Sequence, residues 1–93
     1  MSASIELVVR HKVGLHARPA ALLVKTASGF GSRITVENLT KATALANAKS
    51  ILSVLSVAVQ MNDHVRISAD GNDAEAAIAA LGELIENNFG ETE

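Results

Sequence analysis

The 93-residue chain contains no cysteine, tryptophan or tyrosine, and it has one proline and two phenylalanines. Without cysteine it can form neither a disulfide framework nor a thiolate zinc site. Its three histidines lack metal-ligand spacing, so we expect no metal and no cofactor. The scarcity of aromatic rings removes the stacking surfaces that bind single-stranded nucleic acid. A core must therefore be built from aliphatic side chains.

The chain also has little net charge, with eight Lys and Arg against ten Asp and Glu. This balance gives no general attraction to nucleic acid or to anionic membranes. No apolar run approaches the ~20 residues that a membrane span needs, and residues 1–6 lack the pattern of a signal peptide. We expect a single cytoplasmic domain over residues 1–93, monomeric, with no nucleic-acid or membrane partner.

Hydrophobic periodicity predicts the element order βαββαβα. Alternating apolar residues indicate strands near residues 5–9, 33–37, 41–46 and 64–69. A spacing of three and four indicates helices over Ala17–Ser28, from Ser50 onward and from Ala74 onward. Strands and helices mixed in this way predict an α+β fold, with a largely antiparallel sheet and its helices on one face.

Local signals mark the ends of these helices. Pro19 fits the first turn of the first helix, where its missing N–H costs no hydrogen bond, and Gly29 could end that helix in a left-handed conformation. Ser50 is a suitable N-cap for the second helix. Asn72 and Glu75 have capping-box spacing before the third helix.

His16 stands immediately before the first helix, where unpaired backbone N–H groups and the positive end of the helix dipole can hold an anion. A neutral imidazole can attack phosphorus near neutral pH. Arg18 adds a permanent charge and a donor fork for phosphate oxygens. Its hydrogen bond, worth about 1.5–3 kcal/mol, outweighs the dipole, worth about 0.3–1 kcal/mol. The segment predicts a phosphoryl group on His16, held by the Arg18 side chain and the N–H groups at Ala17 and Arg18.

Each of these residues also has an ordinary interpretation. A lone histidine before a helix more often has a structural or surface role than a chemical one. His11 and His64 are expected to be a loop residue and a solvent-facing strand residue. The glutamates near the C-terminus are expected to form a solvated face; they are Glu83, Glu86, Glu91 and Glu93.

Residues 14–20, Gly-Leu-His-Ala-Arg-Pro-Ala, resemble the active-site segment of HPr, the histidine phosphocarrier family of the bacterial phosphoenolpyruvate:sugar phosphotransferase system. Residues 49–56, Lys-Ser-Ile-Leu-Ser-Val-Leu-Ser, resemble that family's second signature, which surrounds a regulatory serine. The resemblance covers nearly the whole chain. It implies an open-faced β-sandwich, a four-stranded antiparallel sheet with three helices on one face.

The resemblance implies that His16 accepts a phosphoryl group at Nδ1 from enzyme I and passes it to enzyme IIA domains during sugar uptake. Arg18 would assist the transfer. The protein would then be a covalent phosphocarrier of the phosphotransferase system rather than a stand-alone catalyst.

The second signature implies regulation and docking. Ser50 matches the serine that an ATP-dependent enzyme, HPr kinase/phosphorylase, modifies in some members, which would add a transcriptional regulator as a further partner. Leu52 and Leu55, with Ala17 and Ala20, match the family's apolar docking patch, although the two leucines could instead belong to the core.

Two departures from the family pattern concern the middle of the chain. The connection over residues 38–46 is longer than usual and lacks a glycine-containing turn, and Ser53 stands where many members have glycine. Two other functions stay open: a regulatory binding module that signals through Ser50, and a carrier for a dedicated kinase outside sugar transport.

Overall fold

The computed structural model of the chain describes residues 1–91; Thr92 and Glu93, including the expected exposure of Glu93, lie outside the described residues. Four antiparallel strands form one sheet in the order β1-β4-β2-β3. The elements are β1 (Ser2–Val8), α1 (Ala17–Ser28), β2 (Arg33–Asn38), β3 (Ala46–Asn47), α2 (Ile51–Ser56), β4 (His64–Asp70), α3 (Ala74–Glu86) and a 3-10 turn (Asn88–Gly90). The predicted α+β class and element order are confirmed.

The two faces of the sheet differ as the alternating sequence predicts. Val36 of β2 and Ile67 of β4 are fully buried on the face that the helices cover. On the other face, Arg66 lies opposite Glu6 and Glu37 and pairs with both carboxylates, at 3.0 and 3.5 Å. Charged side chains at these positions leave the outer face of the sheet open to water.

Helix α1 has the predicted bounds, Ala17–Ser28. Pro19 is buried in its first turn, and Ala20, Leu23 and Ala27 form the buried stripe. The prediction that Gly29 ends the helix in a left-handed conformation is wrong, because its φ and ψ are −76° and −6°. The helix closes instead through a tight turn in which the Gly29 N–H donates to the Thr26 carbonyl at 3.1 Å.

The third strand differs most from the prediction. Only Ala46–Asn47 pairs with β2, whereas residues 41–46 were expected to form the strand. Residues 39–45 form a loop because the end of β2 bonds to the loop itself: the Asn38 N–H donates to Thr43 Oγ1 at 3.0 Å, and the Thr43 N–H donates to the Asn38 carbonyl at 3.1 Å. Lys41 is drawn away from the sheet toward the segment that precedes β4.

The two remaining helix starts differ in how they are capped. Ser50 is the N-cap of α2, as predicted, and its Oγ accepts a hydrogen bond from the Ser53 N–H at 3.3 Å. The N-cap of α3 is Asp73, so the predicted capping box beginning at Asn72 is wrong. The Asp73 carboxylate does not cap its own helix, because it accepts hydrogen bonds from the backbone and hydroxyl of Ser32.

The core is aliphatic, as the composition requires, and lies between the sheet and the helices. Its largest fully buried apolar side chains are Leu15, Leu23, Ile34, Ile67 and Leu81. No helix in the described part of the chain is long and apolar enough to cross a membrane.

Candidate functional site

His16 is the N-cap of α1 and lies in the open. Its backbone is extended, with φ −135° and ψ 159°, and its side chain makes no capping hydrogen bond. The residue is exposed to solvent. The imidazole therefore stands at the amide end of α1 with neither a structural bond nor burial to prevent its reaction.

The backbone on both sides of His16 has unusual geometry. Ala17 has a φ of +52°, a left-handed conformation that costs a non-glycine residue of order 1–3 kcal/mol. Gly14 has a φ of +63°, and a Cβ there would lie 2.1 Å from the Val59 carbonyl oxygen. Only glycine fits this close approach, so Gly14 fixes the path of the loop that delivers His16 to the helix start.

Arg18 lies in the first turn of α1, with a side chain that is 71% exposed. Its Nε is 3.3 Å from Glu91 Oε2. The other carboxylate oxygen of Glu91 lies 2.5 Å from Nε2 of His11, whose ring packs edge-on against Phe89. A glutamate from the C-terminal end of the chain thus links the exposed guanidinium to a buried histidine.

These contacts correct the expectation for Glu91 and show that His11 is buried. Glu91 does not belong to a solvated face, since it bonds to both His11 and Arg18. His11 is a loop residue, as predicted, but it is only 3% exposed. A signal for this burial exists in the sequence, because His11 continues the alternation of the inward-facing Leu7 and Val9. The Glu91 contact has no such signal, since 80 residues separate the pair.

A shallow depression of about 360 Å³ lies beside the His16 ring. Apart from His16 it is lined by Val13, Leu15, Leu55, Ala58, Val59 and Gln60. The depression is open to solvent and mostly apolar, so the surface of a partner protein could cover it. Among residues 1–91, no cluster of three acidic or histidine side chains could hold a metal ion.

Exposed apolar residues are close in sequence to the residues that line this depression. Leu52 is 77% exposed and Leu55 is half-buried, so Leu52 does not belong to the core. Ala17 is exposed as well. Ala20 has no exposed surface, and its assignment to a docking patch is therefore wrong. Sequence reasoning missed Ile51, which is 40% exposed and follows Ser50 at the start of α2.

Comparison with known proteins identifies the family. A family model described as the PTS HPr component phosphorylation site matches residues 3–87. The chain belongs to the HPr family. The HPr of Xylella fastidiosa strain 9a5c is 45% identical over 86 residues, covering 92% of this chain and 93% of that protein. The multiphosphoryl transfer protein of Salmonella typhimurium is 43% identical over 88 residues, 95% of this chain but 23% of that protein, so the chain spans about a quarter of that relative's length.

Solved HPr structures share the fold. HPr from Thermoanaerobacter tengcongensis superimposes with a TM-score of 0.92 at 47% identity, covering 98% of this chain and 99% of that one. An HPr dimer from the same organism matches with a TM-score of 0.75 at 50% identity, covering 91% and 94%. The resemblance to HPr and the open-faced architecture predicted from it are confirmed. The monomeric state of this chain stays a prediction.

Proposed function

We propose that this chain carries a phosphoryl group on His16 between the partner proteins of a phosphotransferase system, accepting it from enzyme I and passing it to enzyme IIA domains. The observation that carries the proposal is the exposed, unbonded His16 ring at the amide end of α1, with Arg18 in the adjacent turn. Membership of the HPr family, which is a phosphocarrier family, supports it. The cytoplasm stays the predicted compartment.

In the proposed reaction, Nδ1 of neutral His16 attacks the phosphorus atom of the phosphoryl group on phospho-enzyme I. The new N–P bond forms as the bond between phosphorus and the donor atom breaks, and the departing donor atom keeps the electron pair. In such a loose transition state, negative charge is spread over the three equatorial oxygens of the phosphoryl group. The N–H groups at Ala17 and Arg18, together with the Arg18 guanidinium, are the donors placed to stabilise that charge. Transfer to the acceptor reverses these steps.

We propose a docking surface formed by Ala17, Leu52 and Leu55 around the His16 depression. Partners can reach the phosphoryl group from outside, because His16 is exposed and the depression beside it is open to solvent. Exposed leucine beside a reactive group provides apolar area that a partner can cover. The charged phosphoryl group would then be shielded from water only within the complex with a partner.

A second candidate function is regulation through phosphorylation of Ser50. Ser50 is partly exposed, and it begins the helix that carries Leu52. A phosphate at this helix start would place new negative charge beside the docking surface and hinder apolar contact there. A kinase with ATP would give an acid-stable adduct that Ser50→Ala lacks, whereas the His16 adduct is acid-labile.

Incubation with phosphoenolpyruvate and a compatible enzyme I tests the main proposal. We expect one acid-labile phosphoryl group per chain, and phosphorus NMR reports both its attachment to imidazole and the nitrogen used. His64→Ala is a matched control, because His64 is exposed on a strand of the sheet. It should accept the group like the unmodified protein, whereas His16→Ala should not. Equal labelling of His16→Ala would refute the proposal.

Several enzyme IIA domains offered as acceptors then test the role in sugar uptake. Transfer to at least one sugar-specific domain is expected. Transfer to none of them, with efficient labelling by enzyme I, would favour a carrier for a dedicated kinase.

A further inference from the structure

The segment between α2 and β4, residues 57–63, forms one wall of the His16 depression through Ala58, Val59 and Gln60. It is also bonded to the loop that carries His16, since the Leu15 N–H donates to the Val59 carbonyl at 3.0 Å. The position of this wall is therefore coupled to the residue that immediately precedes the reactive histidine.

The wall is not a conformation that its sequence favours by itself. Asn62 is left-handed, with a φ of +74°, which asparagine tolerates. Ala58 is also left-handed, with a φ of +48°, a conformation that alanine rarely adopts. Such conformations persist only where the surrounding structure holds them. Contacts from outside residues 57–63 must therefore stabilise this backbone conformation.

Lys41 reaches the segment from the loop between β2 and β3. Its Nζ lies 2.7 Å from the Ala58 carbonyl oxygen, 3.1 Å from Gln60 Oε1 and 2.8 Å from Asp63 Oδ2. An ammonium group has three N–H donors, and all three find oxygen partners in this one segment. The contact with Ala58 holds the carbonyl of a left-handed residue directly.

Asn38 also bonds to residues 57–63 and to Lys41. Its fully buried side chain donates to the Val57 carbonyl at 3.1 Å and to Asp63 Oδ2 at 2.9 Å, and its Oδ1 accepts from the Lys41 N–H at 3.2 Å. Hydrogen bonds, first from Lys41 and then from the Gln60 backbone and Asn38, lower the pKa of Asp63 to about 2, so Asp63 and Lys41 form an ion pair across the neutral pH range. The pair is 11% exposed on the Asp63 side and 36% on the Lys41 side, so water screens it only in part.

Gln60 is the polar side chain, besides His16, that lines the depression. Because an ammonium can only donate, it binds the amide oxygen of Gln60. Within residues 1–91 the amide NH₂ of Gln60 has no described hydrogen-bond partner. Loss of the Lys41 contact would free this amide to rotate and would release the Ala58 carbonyl.

We propose that Lys41 is a positioning residue for phosphoryl transfer, whose ammonium holds residues 57–63 in the conformation that forms the wall beside His16. The inference rests on the proposed function of His16. It assigns a role to the long loop between β2 and β3: the loop carries a cation to a segment that β2 otherwise contacts through the neutral side chain of Asn38.

The test compares Lys41→Met, which keeps the side-chain length without the charge, with Lys41→Arg, which keeps a cationic donor. We expect Lys41→Met to lower kcat/KM for transfer from phospho-enzyme I by about threefold to tenfold. This is less than loss of a whole charged hydrogen bond would produce, because Lys41 acts on His16 only through the wall. Lys41→Arg should recover most of the loss. Arg33→Met is the charge-matched control, because Arg33 is exposed on the open face of the sheet, and it should transfer normally.

All variants are assayed at a temperature at which urea unfolding shows them to be folded, and the NMR signals of the His16 ring and of the backbone at Ala58 and Gln60 are compared. These signals should shift in Lys41→Met and return in Lys41→Arg. A folded Lys41→Met that transfers at the unmodified rate, with only its stability reduced, would overturn the positioning role alone. An unmodified protein that accepts no phosphoryl group would overturn the proposed function and this inference together.

Discussion

Arg18 has two possible anionic partners, and only one of them is part of the folded chain. In the unphosphorylated protein its Nε lies 3.3 Å from the Glu91 carboxylate. A phosphoryl group on His16 would place a second, more highly charged anion within reach of the same guanidinium. If His16 carries a phosphoryl group, we expect Glu91 to orient Arg18 before transfer and to compete with the phosphoryl group afterwards.

Replacing Glu91 with glutamine should favour the phosphorylated form. The neutral amide can still hydrogen-bond to His11, but it neither competes for Arg18 nor repels the phosphate. We expect the equilibrium between phospho-enzyme I and phospho-His16 to shift toward this chain by about twofold to fivefold, because a partly exposed ion pair is worth at most about 1 kcal/mol. Radiolabel distribution at equilibrium measures the shift, with Glu86→Gln as an exposed control. A shift toward enzyme I would contradict this account of Glu91.

The local sequence identified His16 and Arg18 because their chemistry depends on position relative to one helix start. It did not identify Glu91 or Lys41, since their partners lie 17 to 80 residues away in the chain. Long polar side chains meet such partners only after the sheet has set the distances. Ala20 shows the opposite error, because a family motif marks a segment but does not tell which of its side chains face outward.

Helix α2 is short, so its N-cap supplies a large part of its local stability. Ser50 accepts the Ser53 N–H, and loss of such a cap costs about 1 kcal/mol. We expect Ser50→Ala to lower the free energy of unfolding by about that amount. Ser50→Asp should restore it, because aspartate is an equally good cap.

The same pair of variants separates capping from charge in partner docking. Ser50→Asp places a carboxylate beside Leu52, so it should raise KM for enzyme I while Ser50→Ala leaves it nearly unchanged. Urea unfolding and transfer kinetics give the two readouts. A Ser50→Asp variant that is stable and docks normally would refute the proposed effect of charge at this helix start.

Elements with strong local signals were predicted well, and those set by distant contacts were not. The bounds of α1 follow from Pro19 at its start and from its apolar stripe, which needs only neighbours along the helix. Strand β3 is limited to Ala46–Asn47 because Thr43 bonds to Asn38 and Lys41 bonds to Asp63. The alternation of apolar residues gives no sign of these polar contacts.

Across the whole molecule, two aspartates bond segments that are neighbours in the fold but lie far apart in the chain. Asp63 links the β2–β3 loop to the start of β4 through Asn38 and Lys41. Asp73 links the start of α3 to Ser32, just before β2. Hydrogen bonds lower the pKa of both carboxyl groups, chiefly those from Lys41 to Asp63 and from Ser32 to Asp73. Both links therefore require ionised carboxylates.

This requirement predicts how stability responds to acid. A carboxyl group whose pKa is lower in the folded state than in the unfolded state stabilises the fold above its unfolded pKa, and the contribution is lost as the pH falls through the folded value. For Asp63 those values are 3.8 and about 2. Ionisation of Asp63 alone should therefore contribute about 1–2 kcal/mol at pH 6 that disappears between about pH 4 and pH 2. Urea unfolding at several pH values measures this loss.

The variant Asp63→Asn isolates that contribution. It should be less stable than the unmodified protein at pH 6, because Lys41 loses its anionic partner, and the difference should narrow by about 1–2 kcal/mol as the pH falls to 2. Asp70→Asn is the control, since Asp70 is 75% exposed at the end of β4, and its difference should change much less. A gap between Asp63→Asn and the unmodified protein that stays constant down to pH 2 would show that Asp63 is not held as an ion in the fold. The contacts of Lys41 with residues 57–63, beside His16, would then not depend on the charge of Asp63.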